Sequence, residues 1–152
     1  CTHSLDTLRW MCGGEVVDIA SHCKRIDTPD INWIGATLQF DSGATGFVVN
    51  SWTSGRRVFR VQMHSPGVYC DAEVESEAWL YRDGDYDGEK YDCFEVAGGR
   101  TNWEAYGFRD KNREFIDSLK SGEDVTSSPF RDCVKTMEVA EKILAQALLA
   151  GQ

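Results

Sequence analysis

The 152-residue sequence is defined first by what it lacks. No apolar run approaches the ~18 residues that a bilayer span requires, so no membrane partner is expected. Cations are scarce: 16 Lys and Arg stand against 25 Asp and Glu, a formal net charge of −9. Phosphate neutralisation needs clustered Lys and Arg, so this balance argues against a nucleic-acid partner and reads as ordinary solubility. No Cys-x-x-Cys pair is present, which leaves a structural zinc site without support. The six cysteines (Cys1, Cys12, Cys23, Cys70, Cys93 and Cys133) are scattered among apolar neighbours, in a chain long enough to need no covalent staples. Buried, reduced thiols and a cytoplasmic location are the expectation. No Gly-x-Ser-x-Gly occurs, and a nucleophile pairing with His3 has no visible third partner. No Gly-x-Gly-x-x-Gly follows a strand, and Gly13-Gly14 and Gly98-Gly99 do not fit that spacing. With no internal repeat or low-complexity linker, residues 1–152 read as a single domain. The chain opens on Cys1-Thr2-His3 inside a periodic segment, without Met or a signal peptide, so a piece of a longer protein or a mature form is expected.

What is present has strong periodicity. Residues 4–12 read as a helix with Leu5, Leu8 and Cys12 on one face, stopped by Gly13-Gly14. The period then changes to two. Residues 16–24 place Val17, Ile19 and Cys23 on one side, and residues 32–40 place Ile34, Ala36, Leu38 and Phe40 together. Asp41-Ser42-Gly43 predicts a hairpin into residues 44–53, and further strands follow at 57–64, 68–74, 78–82 and 91–96. A helix over 103–121 is expected to turn Phe108, Phe115, Ile116 and Leu119 inward. A last helix starts at Ser128-Pro129, with an apolar stripe of Phe130, Val134, Met137, Ile143, Leu144 and Leu148. This order predicts an α+β two-layer sandwich: an open-faced, predominantly antiparallel (mixed) sheet with helices packed on one face. The opposite face, carrying Trp33, is left bare and is the expected subunit interface of a homo-oligomer, a dimer or tetramer.

Three side-chain constellations carry possible chemistry. Asp83-Gly84-Asp85-Tyr86-Asp87-Gly88 approaches a calcium loop, but Phe94 stands where the bidentate Glu belongs and the flanks read as strands, so an acidic hairpin tip is the better reading. His22-Cys23 would point to opposite faces of a strand, so no metal site is expected there. His3 and Asp6, three residues apart at the start of the first helix, share one face.

The stretch His3-Ser4-Leu5-Asp6-Thr7-Leu8-Arg9-Trp10-Met11-Cys12-Gly13-Gly14-Glu15-Val16 resembles the family of glucose–fructose oxidoreductase, inositol dehydrogenase and MocA-type proteins, where a His-x-x-Asp-x-x-Arg-Trp helix opens the C-terminal domain. The resemblance continues through Thr28-Pro29-Asp30, Leu38–Ala44, Ser51-Trp52, Glu114–Asp117 and the 126–144 stretch containing Thr136–Ile143. It implies the substrate-binding and oligomerisation domain of an NAD(P)-dependent oxidoreductase that acts on a secondary hydroxyl of a sugar or polyol. NAD or NADP would be bound by a Rossmann domain outside this chain, and no cofactor by the chain itself. The family's catalytic Lys lies in that other half, and its catalytic Asp falls just before Cys1.

His3 is therefore the catalytic residue that the resemblance places here, and Asp6 matches a position that contacts substrate hydroxyls. An imidazole, with a reference pKa of about 6.5, can take the proton that a secondary alcohol loses on oxidation. A carboxylate such as Asp6 can hold a neighbouring hydroxyl. Trp52 at a strand end, with Tyr106 and Arg109 at a helix start, are further candidates for the substrate site. The other function class is a non-catalytic, self-associating or ligand-binding domain that kept the sheet and lost the enzyme.

Overall fold

The computed structural model describes residues 2–149, which form two compact units. Cys1, and the expectations that concern it, lie outside the described residues. The first unit joins the chain's two ends, residues up to Arg56 with those from Ser128; the second comprises Arg57–Ser127. The architecture is α+β with open antiparallel sheets, as the periodicity predicts. The strands fall into two sheets rather than one, three-stranded β1-β2-β3 and four-stranded β4-β5-β6-β7. Residues 52–59, between β3 and β4, are bends and coil and carry no strand.

In the first unit, α1 (Thr2–Cys12) leads into β1 (Val16–Lys24), β2 (Trp33–Phe40) and β3 (Thr45–Ser51). One sheet face carries Cys23, Ile34, Ala36, Leu38, Phe40 and Val48, all buried beneath Leu5 of α1 and Val139, Ile143 and Ala147 of α5 (Phe130–Leu149). Alternation puts these side chains on one side of the pleat, and their burial against α1 and α5 is the main stabilising term of the unit. Val17 leaves this face. A register shift between Val16 and Asp18 makes it the extra residue of a bulge, so Val16 packs toward the core and Val17 is exposed. The free edge of β1 is covered by Gln146 of α5: its Oε1 accepts from Ser21 N at 2.7 Å and its Nε2 donates to Ile19 O at 2.9 Å. A side-chain amide thus satisfies backbone groups that would otherwise invite a further strand.

The buried stripe of α5 is Thr136, Val139, Ile143 and Ala147. Of the apolar stripe expected from sequence only Ile143 belongs to it; Phe130, Val134, Met137, Leu144 and Leu148 are exposed. The helix is apolar on more than one face, and the face that is buried carries Thr136 and Ala147 beside Val139 and Ile143.

In the second unit, β4 (Arg60–Ser65), β5 (Val68–Glu73), β6 (Glu77–Arg82) and β7 (Glu89–Asp92) form consecutive antiparallel hairpins. The 83–88 acidic stretch is the turn between β6 and β7, in line with the hairpin reading. The strand expected to run to Val96 ends at Asp92, which caps the short helix α2 (Cys93–Ala97) by accepting from Phe94 N and Glu95 N. Capping gives these orphan N–H groups a partner, so the chain turns helical where its side-chain pattern still alternates. The single helix expected over 103–121 is two, α3 (Asn102–Ala105) and α4 (Phe108–Ser121). Between them Gly107 takes φ 75°, a left-handed conformation that breaks the helical ladder. Phe108, Phe115, Ile116 and Leu119, expected inward, are exposed on α4.

Among the described residues no cysteine forms a disulfide: Cys23 is buried, Cys12, Cys70 and Cys93 are partly buried, and Cys133 is exposed. Burial pushes the thiols of Cys12, Cys23 and Cys93 up, which keeps them protonated and unreactive.

Candidate functional site

The best-organised polar cluster of the first unit is built on α1. Arg9 is 7% exposed, and its guanidinium is surrounded by acceptors from α5 and from the loop after α1. It donates to Thr136 Oγ1 at 2.8 Å, to Asp132 Oδ1 at 3.1 Å and to the Asp132 carbonyl at 3.3 Å, and lies 3.6 Å from Glu15. Thr136, itself 1% exposed, passes the interaction on by donating to Asp6 Oδ1 at 2.7 Å. Asp6 is also 3.9 Å from Arg9. The hydrogen bond from Arg9 holds the Asp132 carboxyl below the usual carboxylate range. A buried guanidinium that satisfies several acceptors at once is costly to disturb, and here it fixes α1 against α5.

This network leaves one Asp6 oxygen committed to Thr136, while the side chain stays 46% exposed. His3 lies one turn earlier and is exposed. Ser4 donates to Asn50 Oδ1 of β3 at 2.9 Å and anchors the start of the helix. Two buried polar atoms, Arg9 Nε and Asn50 Nδ2, have no hydrogen-bond partner among the described atoms. The arrangement offers a rigid helix, a solvent-accessible imidazole, and a carboxylate whose orientation is fixed from behind.

The other candidates divide by unit. Trp52 follows β3 in the first unit and is 59% exposed, so it is no part of the core. Tyr106 and Arg109 belong to the second unit. The Arg109 guanidinium binds Glu104 at 2.8 Å, Asp110 at 3.2 Å and the Ala97 carbonyl at 3.2 Å, and lies 5.9 Å from the Trp103 ring centre. Its donors therefore join α2, α3 and α4. Tyr106 is half exposed, with Phe108 edge-on at 6.3 Å. Thr136 and Arg9 went unnoticed as site residues in the sequence. The one signal for Thr136 was a hydroxyl at a helix position whose i+3 and i+7 neighbours are apolar.

Among the described residues no three His, Cys, Asp or Glu side chains converge as metal ligands, and no helix is long and apolar enough to cross a membrane. Neither glycine pair forms a dinucleotide cradle. Gly13-Gly14 connects a helix to a strand, the reverse of the order that cradle needs, and Gly98-Gly99 follows a helix.

Comparison with known proteins bears on the fold. Residues 1–66, which hold α1 and the first sheet, match the model of the GFO/IDH/MocA C-terminal domain. The resemblance first read from the α1 motif is thus to that domain. In fold it extends over nearly the whole chain. A dehydrogenase from Chromobacterium violaceum superposes with a TM-score of 0.83 at 16% identity, over 99% of this chain and 45% of its own. A levoglucosan dehydrogenase, solved with NADH and levoglucosan, gives 0.79 at 15% identity, covering 98% of this chain and 47% of its own. An oxidoreductase from Agrobacterium radiobacter, solved with NAD+, L-tartaric acid and magnesium, gives 0.76 at 19% identity, covering 97% and 45%. The chain spans less than half the length of these structures. No curated protein matches the sequence.

Proposed function

We propose that this chain is the substrate-side half of an NAD(P)-dependent oxidoreductase acting on a secondary hydroxyl of a sugar, polyol or related compound. One observation carries the reading: α1 presents an exposed His3 beside an Asp6 whose carboxylate is held by Thr136 and Arg9. In this reading His3 accepts the proton that the reacting hydroxyl gives up, and the free oxygen of Asp6 accepts a hydrogen bond from an adjacent hydroxyl. Trp52, exposed in the same unit, adds an aromatic face to this substrate site. Among the described residues neither glycine pair is placed to cradle a dinucleotide, and the nicotinamide is assigned in this reading to a companion domain of a longer protein. The proposal includes a cytoplasmic setting, in keeping with the protonated thiols of Cys12, Cys23 and Cys93.

The same chain also supplies the oligomer contact. The face of the first sheet turned away from α1 and α5 carries Phe47 and Val49, 74% and 69% exposed, next to Trp33. A non-catalytic, self-associating domain is the second reading, and this apolar face favours it independently of His3.

Calorimetric titration separates the two. NAD(H) or NADP(H) gives no heat with the 152-residue chain and saturable binding with the longer protein. Binding to the chain alone, or to neither, overturns the proposed division of labour.

A further inference from the structure

The carboxylate of Asp6 has a strong competitor for its attention close by. Asp6 and Arg9 are neighbours on α1, three residues apart, and Asp6 Oδ1 lies 3.9 Å from Arg9 Nη1. A direct, charge-assisted bond between them needs only a change of the Asp6 rotamer. That change would turn the carboxylate inward, onto a guanidinium that is 7% exposed, and away from any ligand. Thr136 of α5 stands between the two, with Oγ1 2.8 Å from Arg9 Nη1 and 2.7 Å from Asp6 Oδ1.

The chemistry of the groups fixes the direction of both bonds. A guanidinium has donors and no acceptor, so Thr136 accepts from Arg9. A hydroxyl carries one proton, and that proton goes to Asp6. The two neighbours depend on Thr136 unequally. Arg9 keeps Asp132 without it: Nη2 donates to Oδ1 at 3.1 Å, and Nη1 donates to Oδ2 and to the carbonyl, each at 3.3 Å. Among the described residues, Asp6 receives its side-chain hydrogen bond from Thr136. Thr136 is therefore dispensable to the clamp between α1 and α5, but not to the aim of Asp6.

We propose that Thr136 is a positioning residue that keeps the Asp6 carboxylate off Arg9 and turned to solvent, and so makes the site select a vicinal diol over a hydroxy ketone. This rests on the proposed use of Asp6 as the acceptor for a substrate hydroxyl. A carboxylate accepts and does not donate, so the group beside the reacting carbon has to bring the proton. A second hydroxyl does so. A carbonyl in its place leaves two acceptors facing each other, one of them charged and unpaired.

The test is an NMR titration of the full-length protein, without nicotinamide, with cis-1,2-cyclohexanediol and with 2-hydroxycyclohexanone. The diol is expected to shift signals of α1 and to bind at least about tenfold tighter than the ketone. Thr136→Val has the same shape without the hydroxyl, and should bring that ratio below about threefold while the ligand-free signals of α1 and α5 keep their places. Thr136→Ser restores the donor and should hold the ratio above about fivefold. Asp6→Asn is a second route should Thr136→Val fail to fold. Thr136 then takes the amide oxygen and turns the NH2 outward, a donor that serves both probes, so the preference should vanish. A parent-like ratio in Thr136→Val, a tenfold preference for the diol in Asp6→Asn, or no diol-induced shift on α1 would each overturn the proposal. The titration scores no turnover, so this selectivity can fail while His3-dependent oxidation is found, and the reverse.

Discussion

Asp71 and Asp6 show how differently a carboxylate can be placed in this protein. Asp71 accepts from Arg60, from Gln62 at 3.2 Å and from the Tyr69 hydroxyl at 3.1 Å; the Arg60 hydrogen bond leads in holding its pKa at about 2, against 3.8 for the free side chain. Every partner is a donor, so protonation removes the charge that Arg60 faces and turns one acceptor oxygen into a donor. The folded value is depressed, so the unfolded chain takes up the proton first. The stabilisation is present above about pH 4 and is lost as pH falls toward 2. Asp71→Asn should flatten that part of the acid limb when urea stability is measured across pH, and an unchanged slope would refute the coupling. Asp6 instead presents an oxygen to solvent, which the proposed function uses for a substrate hydroxyl. Thr136 commits one of its oxygens and its exposure leaves the other for a ligand. The motif pointed to Asp6, whereas Thr136 lies 130 residues away and only the packing of α5 on α1 brings it there.

At the level of elements, the strands of the first sheet were legible because one face is buried and period-two alternation is then enforced. What escaped were the local exceptions. The bulge at Val17 reverses side-chain parity without any composition signal, Asp92 redirects a strand into α2 by capping, and Gly107 splits a continuous helical pattern. The α5 stripe was misplaced because apolar residues occupy more than one face, and bulk alone does not choose which one packs. The open face of the first sheet makes its own prediction. Phe47 and Val49 are exposed beside Trp33, and soluble monomers seldom leave contiguous apolar patches beyond a few hundred Å² in water. Pairing two such faces about a two-fold axis covers both, and the shared negative charge favours apolar over ionic contacts. Light scattering behind a sizing column should give a dimer or tetramer at physiological salt, and Phe47→Asp should shift it toward monomer. A wild-type monomer of 17.1 kDa at high micromolar concentration contradicts the interface.

For the molecule as a whole, the proposed function divides the labour between an α+β half that would orient substrate groups and a companion that would bind the nicotinamide. Its weight rests on α1, because the family match over residues 1–66 and the Arg9–Thr136–Asp6 network meet on that helix. His3 is exposed and its imidazole makes no contribution to the core, so replacing it isolates chemistry from folding. The decisive measurement is turnover of a sugar or polyol by the longer protein carrying His3→Ala, with nicotinamide affinity and oligomeric state followed in parallel. The account predicts at least a roughly tenfold fall in kcat, the low end of what one acid–base group contributes, with affinity and assembly unchanged. Turnover within twofold of the parent protein, in a folded variant that still binds nicotinamide, would contradict it.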